Sequence, residues 1–247
     1  GSSTKQAEGG ASDCVLKPVM VTADPIRGST GLLVFCEVLN VDMTPHTSNT
    51  RRHCNEVEAA YCEQEPWFGI EQEYTLMQDG RPLGFPRNGF PAPQGQYYCS
   101  VGANNTFGRE IAEMHLAVCV QIGLKISGIN AEVMPGQWEF QTTAQAPVRV
   151  SDDLWMARYI LARISEEKGV EVSYDPKPHS EFNGAGCHVN FSTNKMRHSL
   201  TDLMIEDFMR CLEEDHDEHI KVCGEGIERR MTGECETSDY QKFTWGV

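Results

Sequence analysis

Residues 68–74 read Phe68-Gly-Ile-Glu-Gln-Glu-Tyr74, and they set two carboxylates one residue apart inside an apolar strand pattern. Side chains alternate across a strand, so Glu71 and Glu73 share one face while Ile70, Gln72 and Tyr74 take the other. Neighbouring anions on a largely enclosed face repel one another and resist desolvation, so the arrangement calls for a cation or shared protons. The device recurs downstream. Residues 130–141, Asn130-Ala-Glu-Val-Met-Pro-Gly-Gln-Trp-Glu-Phe-Gln141, supply Glu132, a Pro-Gly turn, and then Gln137, Glu139 and Gln141 on one face with Trp138 and Phe140 on the other. Residues 183–192, Asn183-Gly-Ala-Gly-Cys-His-Val-Asn-Phe-Ser192, open with a glycine segment and then put His188, Asn190 and Ser192 on one face of a third strand, with Cys187, Val189 and Phe191 behind.

A single acid in a strand is ordinarily an ion-pair partner or a solvated group, but three strands repeating the pattern favour a divalent-metal site. Glu71, Glu73, Glu132, Glu139 and His188 form a mostly oxygen-donor set. Hard cations such as Mg²⁺ or Mn²⁺ prefer such ligands, whereas structural zinc would use closely spaced cysteines, which this chain lacks.

Length and composition fit one globular unit. The 247 residues are 40% hydrophobic and 9% aromatic, enough to bury a sizeable core. The formal charge of −15 argues against a nucleic-acid or anionic-membrane surface, because phosphates are bound by clustered Lys and Arg. Ten cysteines at long, irregular intervals fit a reduced, cytoplasmic compartment better than a disulfide framework. No signal-peptide pattern and no apolar run of about 18 residues is visible, although a targeting segment could lie upstream of the chain.

A coarse reading alternates strands and helices. Residues 1–12 read as loop, Leu32–Leu39 as a buried strand, and Asn49–Glu63 as a helix. Arg109–Ile122 carries Ile111, Met114, Leu116, Cys119 and Ile122 at near-helical spacing. Asp152 reads as the N-cap of a helix running to Lys168 before Gly169. Leu203–Val222 reads as one last helix with a core stripe of Met204, Ile205, Phe208, Met209 and Leu212. On it, His216 and His219 sit among five acids and read as solvated or capping residues. Cys223–Asp239 reads as a mobile loop.

These segments also carry a family resemblance. Trp67–Leu76, Asn130–Gln141 and Asn183–Ser192 resemble the signature strands of glutamine synthetase in its eukaryote-type branch, as do Asn88–Cys99 and Arg229-Arg-Met-Thr-Gly233, and the likeness runs along essentially the whole chain. The resemblance implies an α/β (α+β) fold, a curved and mainly antiparallel sheet lined with metal ligands and backed by helices. It implies that ATP phosphorylates the γ-carboxylate of glutamate and that ammonia then displaces phosphate to give glutamine. Glu71, Glu132 and Glu139 would hold the metal nearer glutamate, and Glu73 and His188 the metal nearer the nucleotide. Glu71, Glu139, Asn183, Gly184, His188 and Arg230 would line the glutamate site, with Arg230 on the α-carboxylate. Trp67, Asn190 and Ser192 match nucleotide-contacting positions. Glu236 matches a flap glutamate that shields the acyl phosphate and accepts a proton from the amine. Cys235 stands where the family usually has His.

The resemblance further implies a homo-oligomer, a decamer of stacked rings with active sites between subunits. Relative to the pattern, the chain opens after an expected Asp and stops at Phe243-Thr-Trp-Gly-Val247, before further arginines and another metal-binding Glu. The expectation is therefore one catalytic domain over residues 1–247, incomplete at its C-terminus and essentially without the family's N-terminal β-grasp domain, with the isolated chain weakly active or inactive. A non-catalytic relative and γ-glutamylation of a larger amine are the alternatives.

Overall fold

The computed structural model describes residues 13–28, 30–236 and 238–246, so the loop expected over residues 1–12 lies outside the described residues. Its centre is β3, Trp67–Gln78, a 12-residue strand with neighbours along both edges. β4 (Arg81–Pro82) folds back on its end, and β6 (Gln137–Thr142) runs antiparallel along one edge, with β5 (Ile126–Ala131) beyond it. β7 (Glu171–Ser173) and β8 (Cys187–Ser192) must share the opposite edge, because Glu71 pairs with both Gln141 and His188, and Thr75 with both Gln137 and Ser173. The result is a strongly curled antiparallel sheet with helices behind it, the architecture that the strand pattern and the resemblance led us to expect.

The helices that back the sheet are α2 (Arg109–Gln121) and α3 (Pro147–Glu167). The alternate residues of the sheet that face them, Ile70, Tyr74, Trp138 and Phe140, pack in one cluster with Ile111, Cys119, Val150, Ala157, Ile160 and Leu161. Burying a large apolar side chain contributes about 1.5–3 kcal/mol, so this inner face fixes the strand register and drives the other face, with its acids, away from the core. Gly108 makes the close approach possible: its φ is +87° and a Cβ there would lie 2.3 Å from Leu76 Cδ1 at the start of α2.

Several elements differ from the sequence reading. α3 begins at Pro147, where proline suits the first helical position and Val148 N donates to Glu58 Oε2 at 2.8 Å. Asp152 is consequently no N-cap; it is buried inside the helix, paired through both oxygens with Arg51 at 2.8 and 2.9 Å. Arg51 belongs to α1, Thr50–Ala60, so this ion pair ties two helices that no local signal connects. β2, Leu32–Leu39, pairs with β1, Val15–Ala23, in a separate two-stranded sheet and is buried on one face only. Leu32 and Val34 of that strand face solvent, because no second layer lies over them among the described residues.

The last long helix is two. α5 (Asp202–Glu214) stops at Asp215 and α6 (His216–Val222) continues at a break. The Met204, Ile205, Phe208, Met209 and Leu212 stripe is half-buried and lies outside the main core, with Phe208 stacked on Phe191 of β8 at 5.9 Å. The span read as a mobile loop contains α7, Ile227–Arg230, and a Thr232–Asp239 bridge.

Candidate active site

The side of β3, β6 and β8 turned away from the helices gathers the acids, and Glu132 joins them from just after β5. Glu73, Glu132 and Glu139 each offer a carboxylate oxygen within 4.8 Å of the others. Register explains the group: Glu73 lies directly across from Glu139, and Asn130, the cross-strand neighbour of Glu139, donates to Glu132 at 3.0 Å. Glu73 also accepts from Gly186 N at 2.9 Å and from Gln137 Nε2 at 3.1 Å, while Val133 N donates to Glu132 at 3.1 Å. Gln141 Nε2 donates to Glu139.

The remaining two proposed ligands form a second group. His188 faces Glu71 across β3 and β8, with Nδ1 3.2 Å from Oε2, and Asn190 Nδ2 donates to Oε1 at 2.8 Å. The partition thus differs from the sequence expectation, in which Glu71 joined Glu132 and Glu139 and Glu73 joined His188. The reason is the strand offset: β6 brings its acid opposite Glu73, and β8 brings its imidazole opposite Glu71.

Electrostatics separates the two groups as well. Burial, followed by the charges of Glu73 and Glu139, pushes Glu132 up to about 7, and burial raises Glu139 too. The Asn190 hydrogen bond holds Glu71 below its ordinary value, against a smaller opposing effect of burial and with help from His188. Three carboxylates whose oxygens lie close enough to share one cation, two of them resisting ionisation, are what an oxygen-liganded divalent cation would relieve. The donor chemistry therefore fits Mg²⁺ or Mn²⁺, held by Glu73, Glu132 and Glu139, with Glu71 and His188 able to hold a second ion.

Beside the acids opens a cavity of about 560 Å³. Glu73, His188, Asn183, Gly184, Arg230 and Glu236 all line it, so six of the site residues proposed from sequence share one space. Asn183 Oδ1 and Arg230 Nη1 are buried atoms without a hydrogen-bond partner among the described residues. The Asn183 and Arg230 side chains lining the cavity offer an amide and a guanidinium, groups that suit a ligand carrying both an ammonium and a carboxylate. Gly184 is required for packing, since a Cβ there would sit 2.0 Å from Pro176 O.

Glu236 is not a free loop acid. Its Oε1 is ion-paired with Lys177, and its Oε2 accepts from Thr232 N at 3.1 Å and Thr232 Oγ1 at 2.8 Å. Burial would raise its pKa, but Lys177 and Thr232 together hold it down to about 2. Cys235 lines the same cavity and is exposed. His216, read from sequence as solvated or capping, instead points into this region, 3.0 Å from Tyr240 O and edge-on to Phe243 at 5.8 Å. Its acidic neighbours along the helix hid that orientation; only the break at Asp215 turns it inward.

Trp67 and Ser192 lie apart from the acids, four residues and roughly 13 Å along β3 and β8 from Glu71 and His188. Arg197 joins them: its guanidinium lies 3.9 Å above the Trp67 ring and donates to Ser192 O and Oγ, each at 3.1 Å. Sequence reasoning missed Arg197, Lys177, and Arg158, whose Nε donates to the buried Gln72 at 2.9 Å behind the acids. Arg158 lies on α3, Arg197 on α4 (Asn194–Ser199) and Lys177 in a loop, so the strand alternation that marks the acids marks none of them.

All ten cysteines are free, and no described helix is long and apolar enough to cross a membrane. Comparison with known proteins places the chain in a family. Residues 48–206 match the model of the glutamine synthetase catalytic domain. The whole chain aligns at 54% identity with 72% of a glutamine synthetase from Streptomyces viridochromogenes and at 52% identity with 69% of one from Neurospora crassa. It also aligns at 48% identity with 63% of glutamine synthetase 1, mitochondrial, from Drosophila melanogaster. With a full-chain likeness of this size, the chain belongs to the glutamine synthetase family.

Proposed function

We propose that this chain catalyses ATP-dependent ligation of ammonia to the γ-carboxylate of L-glutamate through a γ-glutamyl phosphate. The observation that carries the proposal is the shared cavity, which puts an acid cluster suited to a divalent cation next to Asn183, Arg230 and Glu236. A γ-carboxylate oxygen attacks the terminal phosphorus of ATP and the bond to ADP breaks; ammonia then attacks the acyl carbon and phosphate leaves. A divalent ion, which Glu73, Glu132 and Glu139 would hold, would supply charge neutralisation to the phosphate oxygens. Arg230, whose Nη1 has no partner among the described residues, takes the α-carboxylate, and Asn183 Oδ1 accepts from the α-ammonium. Gly184 lets this segment pass close to Pro176, and Glu71, Glu139 and His188 border the substrate from the sheet. Glu236 shields the acyl phosphate and receives the proton released by the amine. Trp67, Asn190 and Ser192 meet the nucleotide; the exposed face of Trp67 supports stacking on the base.

The whole described chain acts as one unit in this reading. Met20 of β1 enters the main core and Thr22 Oγ1 donates to Ile122 O at 2.7 Å, which supports treating the β1–β2 sheet as part of it. Assembly into stacked rings with sites shared between subunits belongs to the same proposal, supported by the outward apolar residues Leu16, Val21, Leu32 and Val34. Ten free thiols support a reducing, cytoplasmic setting. The full-length protein supplied with glutamate, ¹⁵N-ammonium, ATP and Mg²⁺ or Mn²⁺ should give ¹⁵N-glutamine with one ADP and one phosphate each. Faster turnover with a polyamine than with ammonium would overturn the choice of amine.

A further inference from the structure

We infer that Lys177 is a positioning residue for Glu236, the principal prong of a two-pronged clasp that the Asp175-Pro176-Lys177 loop closes on the segment carrying Arg230 and Glu236. The inference rests on the role proposed above for Glu236. The prongs have opposite sign. Lys177 Nζ pairs with Glu236, and Asp175 Oδ1 pairs with Arg229 Nη2 at 2.9 Å, so a single loop grips both ends of residues 229–236. Asp175 Oδ1 also accepts from Lys177 N at 2.7 Å, which fixes the two prongs relative to each other.

The inner pair is the one that matters for positioning. The Lys177 and Glu236 side chains are 13% and 19% exposed, whereas those of Arg229 and Asp175 are 53% and 40% exposed and contribute little in water. Thr232 N and Oγ1 take the second Glu236 oxygen, so the carboxylate has no freedom to turn without losing Lys177. On its other side the clasp leans on the substrate segment: Ala185 N donates to Asp175 O at 3.1 Å, and Pro176 O occupies the space that a Gly184 side chain would need. The loop therefore joins the residues proposed to meet glutamate, Asn183 and Gly184, to the residue proposed to cover the acyl phosphate. A carboxylate held in place covers the acyl phosphate more completely than a mobile one, which limits the entry of water.

When water rather than ammonia attacks the acyl carbon, glutamate and phosphate are regenerated and one ATP is spent without product. The ratio of ATP consumed to glutamine formed thus reads Glu236 placement and is insensitive to a general loss of active protein. In the full-length, metal-loaded enzyme, Lys177→Met should raise this ratio at least twofold, as should Glu236→Ala, while Lys177→Arg should keep it near one. Hydrogen exchange should speed up at least tenfold over residues 231–240 in Lys177→Met and stay unchanged in β3 and β6. A normal ratio in Lys177→Met beside a raised one in Glu236→Ala would overturn the inference, as would a raised ratio without faster exchange. A normal ratio in Glu236→Ala would instead overturn the Glu236 role, with the exchange result still deciding the clasp. Should Lys177→Met fail to fold, Lys177→Gln in the same two measurements replaces it.

Discussion

Glu71 and Glu73 are separated by one residue, share a face, and still answer to different partners. Glu73 meets Glu139, Glu132 and the backbone N–H of Gly186; Glu71 meets His188 and Asn190. Alternation was enough to reveal that both acids face the same way, because a period of two is written into any strand. Which acid goes with which partner was not legible, since it depends on the register of β6 and β8, and register is set by the opposite, apolar face. Two cation events should therefore be separable by titration calorimetry with Mn²⁺. Glu73→Gln should weaken the event assigned to the Glu132 and Glu139 group by at least about 10-fold, as loss of an anionic ligand does at minimum. His188→Ala should affect the other. Binding that persists unchanged in Glu139→Gln with His188→Ala would refute both assignments.

Among the elements, β3 was readable because periodicity and burial agree in it, whereas in β8 the alternation held although Val189 and Phe191, read as lying behind the strand, are exposed. α3 was misread at its start, where a strong local signal, Asp152, competed with a tertiary demand for a buried anion opposite Arg51. The true start is marked by Pro147 and capped from outside by Glu58, a partner 90 residues away that no window can see. The same long separation hides Lys177 and Glu236. The Arg51–Asp152 pair has a definite expected cost: Asp152→Ala leaves a guanidinium, 22% exposed, without its carboxylate and should destabilise the protein by about 3 kcal/mol. Exchanging both residues for apolar ones of similar size should cost much less. Urea unfolding of the three proteins checks this, and equal losses in the single and double variants would show that the helix contact, rather than the charge, is what counts.

At the scale of the whole molecule, buried His115 and half-buried Glu132 bend the pH dependence of stability in opposite directions, with Glu139 acting in the same sense as Glu132. His115, at the interface of α2 and α3 with Nε2 3.0 Å from Ala157 O, is driven by burial down to about 4. Its unfolded form binds a proton that the folded form refuses, so stability is full above about 6.5 and falls as pH drops from there toward 4. Glu132 is driven the other way, to about 7, chiefly by burial. Folded protein keeps its proton where the unfolded chain has lost it, so this contribution is full below about 4.5 and is lost as pH rises toward 7. Each shift corresponds to about 3 kcal/mol, and in cation-free protein the two should largely cancel between pH 4.5 and 6.5. A divalent cation removes the Glu132 opposition by binding the ionised form, so stabilisation by Mn²⁺ should grow with pH across that window and reach about 2.7 kcal/mol at 100 times the dissociation constant. Glu132→Gln should uncover the His115 slope without any metal, and His115→Phe should uncover the Glu132 slope, with EDTA present in both. Differences between variants cancel the background from groups such as Glu236, which titrate lower. If Glu132→Gln follows the wild-type urea midpoints at every pH from 4.5 to 7.5, the acid cluster is not the strained, cation-seeking assembly that its geometry describes.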